Sequence, residues 1–311
     1  MTSEMNMFKT FPEFSKLTMA DKSAYEALIK DYPPVNDISF TALMTWWDNM
    51  DHGISLSNLN GNLVIPYYLP GDEKNSGLSL VGKHKIDESI CEIFDYLRDR
   101  GEPVRLVNVP EFVVSSIQYT ELFNCTEQRR YHEYVVNTPC FYPLKNQAAY
   151  KRKRVEYLLN KVGEENIVVR SLDLHSSADQ KLLLDTAEEW WTQNINNFGT
   201  VQKEAITKCI LQSEELGIEN LCVMVNGEIY GFCLYQHTQD RRYVIIPHIK
   251  GTHKRTLGFE LIGYLFAKWF AEQGITYGNL TSDRGLLRLR MFLLTLNPTN
   301  FYRKYKIEPA D

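Results

Sequence analysis

Several things are scarce or missing in this chain of 311 residues. The six cysteines, at 91, 125, 140, 209, 222 and 233, form no CxxC pair and no Cys/His cluster at zinc spacing. This excludes a disulfide framework and a structural zinc site, and points to reduced thiols, most of them within apolar segments. No apolar stretch is long enough to span a bilayer. The opening MTSEMNMFKTFPEF has no apolar run behind a charged start, so a cytoplasmic protein is expected. The formal net charge of −5 argues against broad coating by nucleic acid, although a local basic patch stays open. There is no GxSxG elbow, no Walker loop and no HExxH, so covalent catalysis has no evident nucleophile.

What is present is a repeated order of elements. Asn60-Gly61 and Asn226-Gly227 each stand between two apolar strand patterns. That dipeptide marks a two-residue hairpin turn, which needs positive φ at both central residues. In the second half, LCVMV and EIYGFCLY flank the turn, RRYVIIPHI supplies a third strand, and KGTHKRTLG opens onto the helix FELIGYLFAKWFAEQG. ITYGNLT then reads as a strand, and SDRGLLRLRMFLLTLNP as a helix stopped before Pro298.

The first half runs in the same order. A helix over 18–30 opens with Thr18 and Asp21, and a second over 39–49 carries Trp46 and Trp47. After the hairpin come a strand, a helix over 87–100, the strand VRLVNVP and helix over 111–123. Further helices are expected at 146–162, 177–195, which carries Trp190 and Trp191, and 203–216. The pattern indicates a mixed α/β protein of two domains, 1–135 and 136–311, and argues against a single doubly wound sheet.

Three features carry candidate chemistry. Arg255, Thr256 and Gly258 lie in a basic loop that feeds a helix N-terminus, where free N–H groups and the helix dipole favour a donor phosphate. A solvated turn is the plain alternative. Lys151, Arg152, Lys153 and Arg154 place four positive charges on one turn, suited to a phosphate-bearing ligand or else to a solvated face. His248 follows Pro247, which in a strand marks an edge or a bulge. It is either a general base or a satisfied structural histidine. Asp283 precedes the last helix, where it would serve as an N-cap. Arg290, among leucines, needs an anionic partner, whether an internal carboxylate or a substrate.

Hairpin, third strand, loop, helix, strand and helix together resemble the GNAT acyltransferase core. DISFTALMTWW, EYVV with LKNQAAYKRKRVEYLL, GEIYGFCLY, IPHIKGTHKRTLGFELIGYLFAKWF and NLTSDRGLLRLRMFLLTLNPTNFYRKY resemble, in order, the family of the phosphatidylglycerol lysyltransferase C-terminal domain. Asp283, Gly285, Leu289, Arg290, Pro298, Lys304 and Tyr305 fall at the family's spacing, whereas Leu293 stands where the family often has lysine. The resemblance implies two tandem GNAT-like domains, with the active cleft in the second. It implies direct transfer of an aminoacyl group from charged tRNA, or of an acyl group from coenzyme A, to an amine or hydroxyl. His248 and Asp283 would then be catalytic, Arg255, Thr256 and Gly258 would hold donor phosphate, and Arg290, Lys151, Arg152 and Arg154 would bind substrate. Neither a metal nor a covalently bound cofactor is expected, and contact with anionic lipid would be peripheral. A binding or regulatory protein on a degenerate scaffold of the same kind is the alternative.

Overall fold

A computed structural model describes residues 7–47, 53–67, 76–194, 200–252 and 258–310. Among the described residues two seven-stranded sheets organise the fold. The first contains β1 (Ser15–Lys16), β2 (Ser55–Leu59), β3 (Asn62–Tyr67), β4 (Gly77–Val81), β5 (Leu106–Pro110) and β6 (Phe123–Glu127). The second contains β7 (Glu133–Asn137), β8 (Ile167–Arg170), β9 (Glu219–Val225), β10 (Glu228–His237), β11 (Tyr243–Gly251), β12 (Tyr277–Ser282) and β13 (Asn300–Tyr302). The last strand, β14 (Lys304–Pro309), returns to the first sheet and lies between β5 and β6. The fold is therefore mixed α+β, with the chain passing between the sheets more than once. A division at 135/136 cuts through β7, and β14 sits in the first sheet although it ends the sequence.

Both hairpins turn where the dipeptides stand. Asn60 and Gly61 have φ of 53° and 85°, and Asn226 and Gly227 have 51° and 82°. Period-two alternation then sorts the strand side chains between layers. In β10, Phe232 and Leu234 face one core while Cys233 and Tyr235 face another. The core between the sheets takes side chains from β2, β3, β9 and β10 and is filled by the helices α1 (Lys22–Ile29), α2 (Phe40–Ala42), α6 (Ser177–Asn194) and α7 (Thr200–Leu211). Outside the first sheet lie α3 (Ile86–Asp99) and α4 (Glu111–Val114). Outside the second lie α5 (Ala149–Val162), α9 (Gly258–Glu272) and α10 (Leu287–Thr295). None of the helices among the described residues is long and apolar enough to cross a membrane.

Several elements differ from the sequence expectation. The helix expected over 111–123 stops after α4, where the Ser115 and Ser116 hydroxyls donate to the Glu111 and Phe112 carbonyls, and β6 follows. The helix over 203–216 breaks at Gln212 into α7 and the short α8 (Ser213–Leu216). The helix over 39–49 is α2 followed by a π-helical turn over Leu43–Trp47. Near the N-terminus, Asp21 accepts the Thr18 N–H at 2.8 Å, which is the expected capping pair, at the head of a 3-10 turn leading into α1. All six cysteines are free thiols; Cys209, Cys222 and Cys233 are buried, whereas Cys91 and Cys125 are exposed.

Candidate functional site

Where β7 and β12 of the second sheet meet β14 and β5 of the first, a buried polar network joins the two sheets. Lys304 Nζ lies 2.9 Å from Asp37 Oδ2 and 2.8 Å from Glu133 Oε1. Glu133 also accepts the backbone N–H groups of Asn36 and Asp37, at 2.6 and 3.1 Å, and the Asn279 amide. Asn108, at φ 53°, donates to Asp37 Oδ2 at 3.2 Å. Lys304 and Glu133 are fully buried. Burial works against the Lys304 ammonium, but Asp37 and Glu133 outweigh it and hold its pKa above the ordinary lysine value. For Asp37, burial is likewise outweighed, chiefly by Lys304 and Arg284, so its carboxyl stays ionised.

Beside this seam β11 changes course. Its pairing with β10 shifts between the Leu234–His248 and Gln236–Ile245 pairs, which places an extra residue on β11 around Pro247. Parallel pairing between β11 and β12 covers only Tyr243–Tyr277, Val244–Gly278 and Ile245–Asn279. Beyond it the bulge turns His248 and Lys250 toward the central layer of helices. The His248 ring stacks on Trp46 at 5.4 Å between centroids, and the Lys250 ammonium lies 4.3 Å from the centre of the Trp190 ring. Arg284 sits over Trp46 at 5.1 Å. His248 is 1% exposed, and neither ring nitrogen has a hydrogen-bond partner among the described residues. Burial, with the nearby Lys250 charge, pushes its pKa well below the usual histidine value, so the ring is neutral. Burial pulls Lys250 down to about 7. A lysine at that value exchanges its proton at neutral pH, as a general base must.

Asp283 follows β12 directly, between a positive φ at Thr281 within the strand and two more, at Arg284 and Gly285, in the loop beyond it. It does not cap α10, whose N-cap position is held by Leu286. Its carboxylate instead pairs with Arg290, at 2.9 and 3.1 Å, and accepts the Tyr134 hydroxyl and the Gly285 N–H. Burial would raise its pKa, but those hydrogen bonds and the Arg290 charge hold it below the usual carboxylate range. Arg129 closes the group, 2.9 Å from the Tyr134 hydroxyl. The partner that Arg290 needs is thus an internal carboxylate.

At the other end of the second half, α9 begins at Gly258, with φ 71°. A Cβ added there would lie 3.0 Å from Glu260 Oε2 and 3.5 Å from Leu158 of α5. The basic turn of α5 therefore stands beside the start of α9. Lys151 is near Glu260, and burial lowers its pKa. Arg152 is 3.9 Å from Glu156, and Arg154 lies over the Tyr157 ring at 5.7 Å. Arg255 and Thr256, expected in the phosphate loop, lie outside the described residues.

The expected residues thus fall into three groups. His248 faces the central layer of helices, stacked on Trp46; Asp283 and Arg290 pair with each other beside Tyr134; Gly258, Lys151, Arg152 and Arg154 lie around the start of α9. Lys250, Trp46, Trp190, Arg284, Glu133 and Asp37 were not singled out by sequence reasoning as site residues. One signal for Lys250 was available: a lysine two residues after His248, in an apolar strand already marked by Pro247. Among the described residues no group of three His, Cys, Asp or Glu side chains could hold a metal.

Comparison with known proteins places this arrangement. The chain aligns in structure with a conserved protein of unknown function from Bacteroides thetaiotaomicron VPI-5482, at a TM-score of 0.77 and 20% identity, covering 94% of this chain and 98% of that one. L-PGS from Bacillus licheniformis aligns at a TM-score of 0.60 and 14% identity, over 94% and 92% of the two chains. FemX aligns at 0.55 and 10% identity, over 96% and 97%. At these identities the likenesses establish the fold alone. No curated protein matches the sequence. The family model described as phosphatidylglycerol lysyltransferase, C-terminal, matches residues 29–286, and the chain belongs to that family.

Proposed function

We propose that the protein is a transferase that moves an aminoacyl group from charged tRNA, or an acyl group from acyl-coenzyme A, to an amine or hydroxyl acceptor by direct transfer. The observation that carries this reading is the parting of β11 from β12, which leaves His248 and Lys250 on a bulged strand facing a buried, aromatic-walled region. Direct transfer needs little more than donor and acceptor held together and a group that takes the acceptor's proton. Lys250 is suited to that role: it can accept the proton from the attacking amine or hydroxyl and return it to the leaving oxygen or sulfur. Neutral His248 is a second acceptor on the same strand. Asp283, fixed by Arg290, orients the loop that carries Arg284. The basic turn of α5 and the start of α9 bind donor phosphate.

One observation favours the second reading, a binding protein on the same scaffold. Between β11, β12, α9 and α10 the described residues enclose a small apolar cavity of about 50 Å³, lined by Ile246, Phe266, Leu280 and Phe292 among others. The decisive experiment incubates the protein with tRNA carrying labelled amino acids, and in parallel with acetyl-coenzyme A, in the presence of amine and hydroxyl acceptors. Protein-dependent loss of label from tRNA, or release of free coenzyme A, that falls at least tenfold in Lys250→Met supports transfer. A folded protein that discharges neither donor overturns it in favour of binding alone.

A further inference from the structure

A groove of about 530 Å³ lies between β13 and α4 and includes none of the candidate transfer residues. It is lined by Val35, by Phe301 and Tyr302 of β13, and by Phe112 and Lys83, among others. The volume is within the range of small-molecule sites. Phe112 is stacked on Tyr32 with ring centres 5.0 Å apart and planes at 19°. Lys83 Nζ stands 5.5 and 5.8 Å from those two ring centres and forms no ion pair among the described residues. The negative charge at the groove, Glu111, is offset by Arg303 at 3.3 Å. The groove therefore combines flat apolar surface with one uncompensated positive charge held at its aromatic wall.

We propose that this groove binds a nucleotide, with the base against the Phe112 ring and a phosphate on Lys83. Aromatic faces accept any base without reading its edge, and a lysine supplies a point charge for phosphate. The nucleotide is either free or the end of a single-stranded RNA; both present the same base and phosphate. β13 pairs with β7 through Tyr302–Glu133, so the groove is one strand away from the buried seam. The proposal does not rest on transferase activity.

Calorimetric titration of the intact protein with AMP, adenosine, ribose 5-phosphate and a single-stranded RNA trinucleotide tests it. AMP should bind at least about tenfold more tightly than adenosine or ribose 5-phosphate, as expected when stacking and a charge-assisted contact both contribute. Lys83→Met should bring AMP down to the level of adenosine, and Phe112→Leu should bring it down toward ribose 5-phosphate, with thermal unfolding confirming that both variants fold. A trinucleotide that binds tenfold more tightly than AMP assigns the groove to RNA; equal affinities assign it to a free nucleotide. Absence of AMP binding to wild type, or AMP binding unchanged in both variants, overturns the proposal. Discharge of tRNA or coenzyme A is read separately, so failure here leaves the transfer assay standing.

Discussion

The two sheets are built to one plan and diverge where chemistry would be done. In each, an Asn-Gly hairpin is followed by a third antiparallel strand, an outer helix, a parallel strand, a short helix and an edge strand. β2, β3, β4, α3, β5, α4 and β6 answer to β9, β10, β11, α9, β12, α10 and β13, while β14 holds in the first sheet the place that β7 holds in the second. The first sheet is closed. Its β3–β4 register runs unbroken from Leu63–Val81 to Tyr67–Gly77, even through Pro66. The connection from β4 to α3 is closed by Asn62, whose side chain accepts the His84 N–H at 3.0 Å and donates to the His84 and Leu59 carbonyls at 2.6 and 3.1 Å. A Cβ on Gly82 would lie 2.0 Å from Asn62 Oδ1, so only glycine fits there. In the second sheet the equivalent register breaks at Pro247, the strands part, and a histidine and a lysine turn inward. In the first half an asparagine satisfies the loop internally. The second half spends its polar groups on a buried region with titratable side chains.

The largest effect should come from the joint between the halves. Lys304→Met leaves Glu133 and Asp37 buried without their cation, and breaking a buried pair in this way costs about 3–5 kcal/mol. By contrast, Lys306→Met removes only a partly exposed pair with Glu308 and should cost less than about 1 kcal/mol. Urea denaturation of the two variants measures the difference. Equal small losses would mean that the seam does not hold the sheets together.

Lys250 gives the next largest effect, and its sign is set by pH. Its folded pKa, about 7, lies below the ordinary lysine value of 10.5. Between those values the unfolded chain binds the extra proton, so stability should rise with pH across that window and lie at its lowest below pH 7. Lys250→Met should abolish that slope and stabilise the protein by a few kcal/mol at pH 6, with the gain vanishing above about pH 10.5. His248 acts in the opposite region: buried neutral, it should make stability fall as pH drops below 6.5. Melting temperatures of wild type and both Lys250→Met and His248→Phe across pH 5–10 separate the two groups. A pH-independent wild type would show that neither is buried as described. If Lys250→Met is more stable yet inactive in transfer, the inward-turned lysine is retained for function at the expense of stability.

How far the sequence could reveal this contrast depends on the range of each interaction. The hairpins were legible because Asn-Gly acts within two residues. Helix α9 was legible through Leu261, Ile262, Leu265 and Phe266 on one face, and α3 through Ile90, Ile93, Phe94 and Leu97. Pro247 correctly marked a bulge, yet Pro66 lies in a regular register; a proline announces a missing donor, and the sheet decides whether a bulge follows. β14 was missed because KYKIEP gives little alternation and its partners lie about two hundred positions earlier in β5 and β6. The same distance hid the Lys304–Glu133–Asp37 seam, although Lys304 had already stood out in the resemblance. Asp283 and Arg290 were both identified in the sequence, but their pairing depends on a left-handed loop that residue type does not fix.

Asn62→Ala probes the closed loop of the first half. It removes the partners of the His84 N–H and of two carbonyls, so a loss of about 1–3 kcal/mol is expected in denaturant unfolding, with donor binding unchanged. Weakened donor binding in a variant that keeps its stability would place the phosphate site in the first half and reverse the assignment of roles.

The smallest effect on stability, and the finest test of the comparison, belongs to α5. Arg152 and Arg154 are exposed enough that replacing both with Ala should change stability by less than about 0.5 kcal/mol per site. Their internal partners are weak, a carboxylate at 3.9 Å and an aromatic ring at 5.7 Å, so a bound polyanion could compete for both. If the second half holds a phosphate-bearing donor there, each lost contact removes a released counterion. The dependence of log affinity on log salt should then flatten by about 0.7–0.9 per contact. The measurement is tRNA binding between 50 and 200 mM salt for wild type and the double variant. An unchanged slope would reduce the α5 turn to a solvated face. The asymmetry between the halves would then rest on β11 alone, where the register break and the inward-facing Lys250 do not depend on any charge of α5.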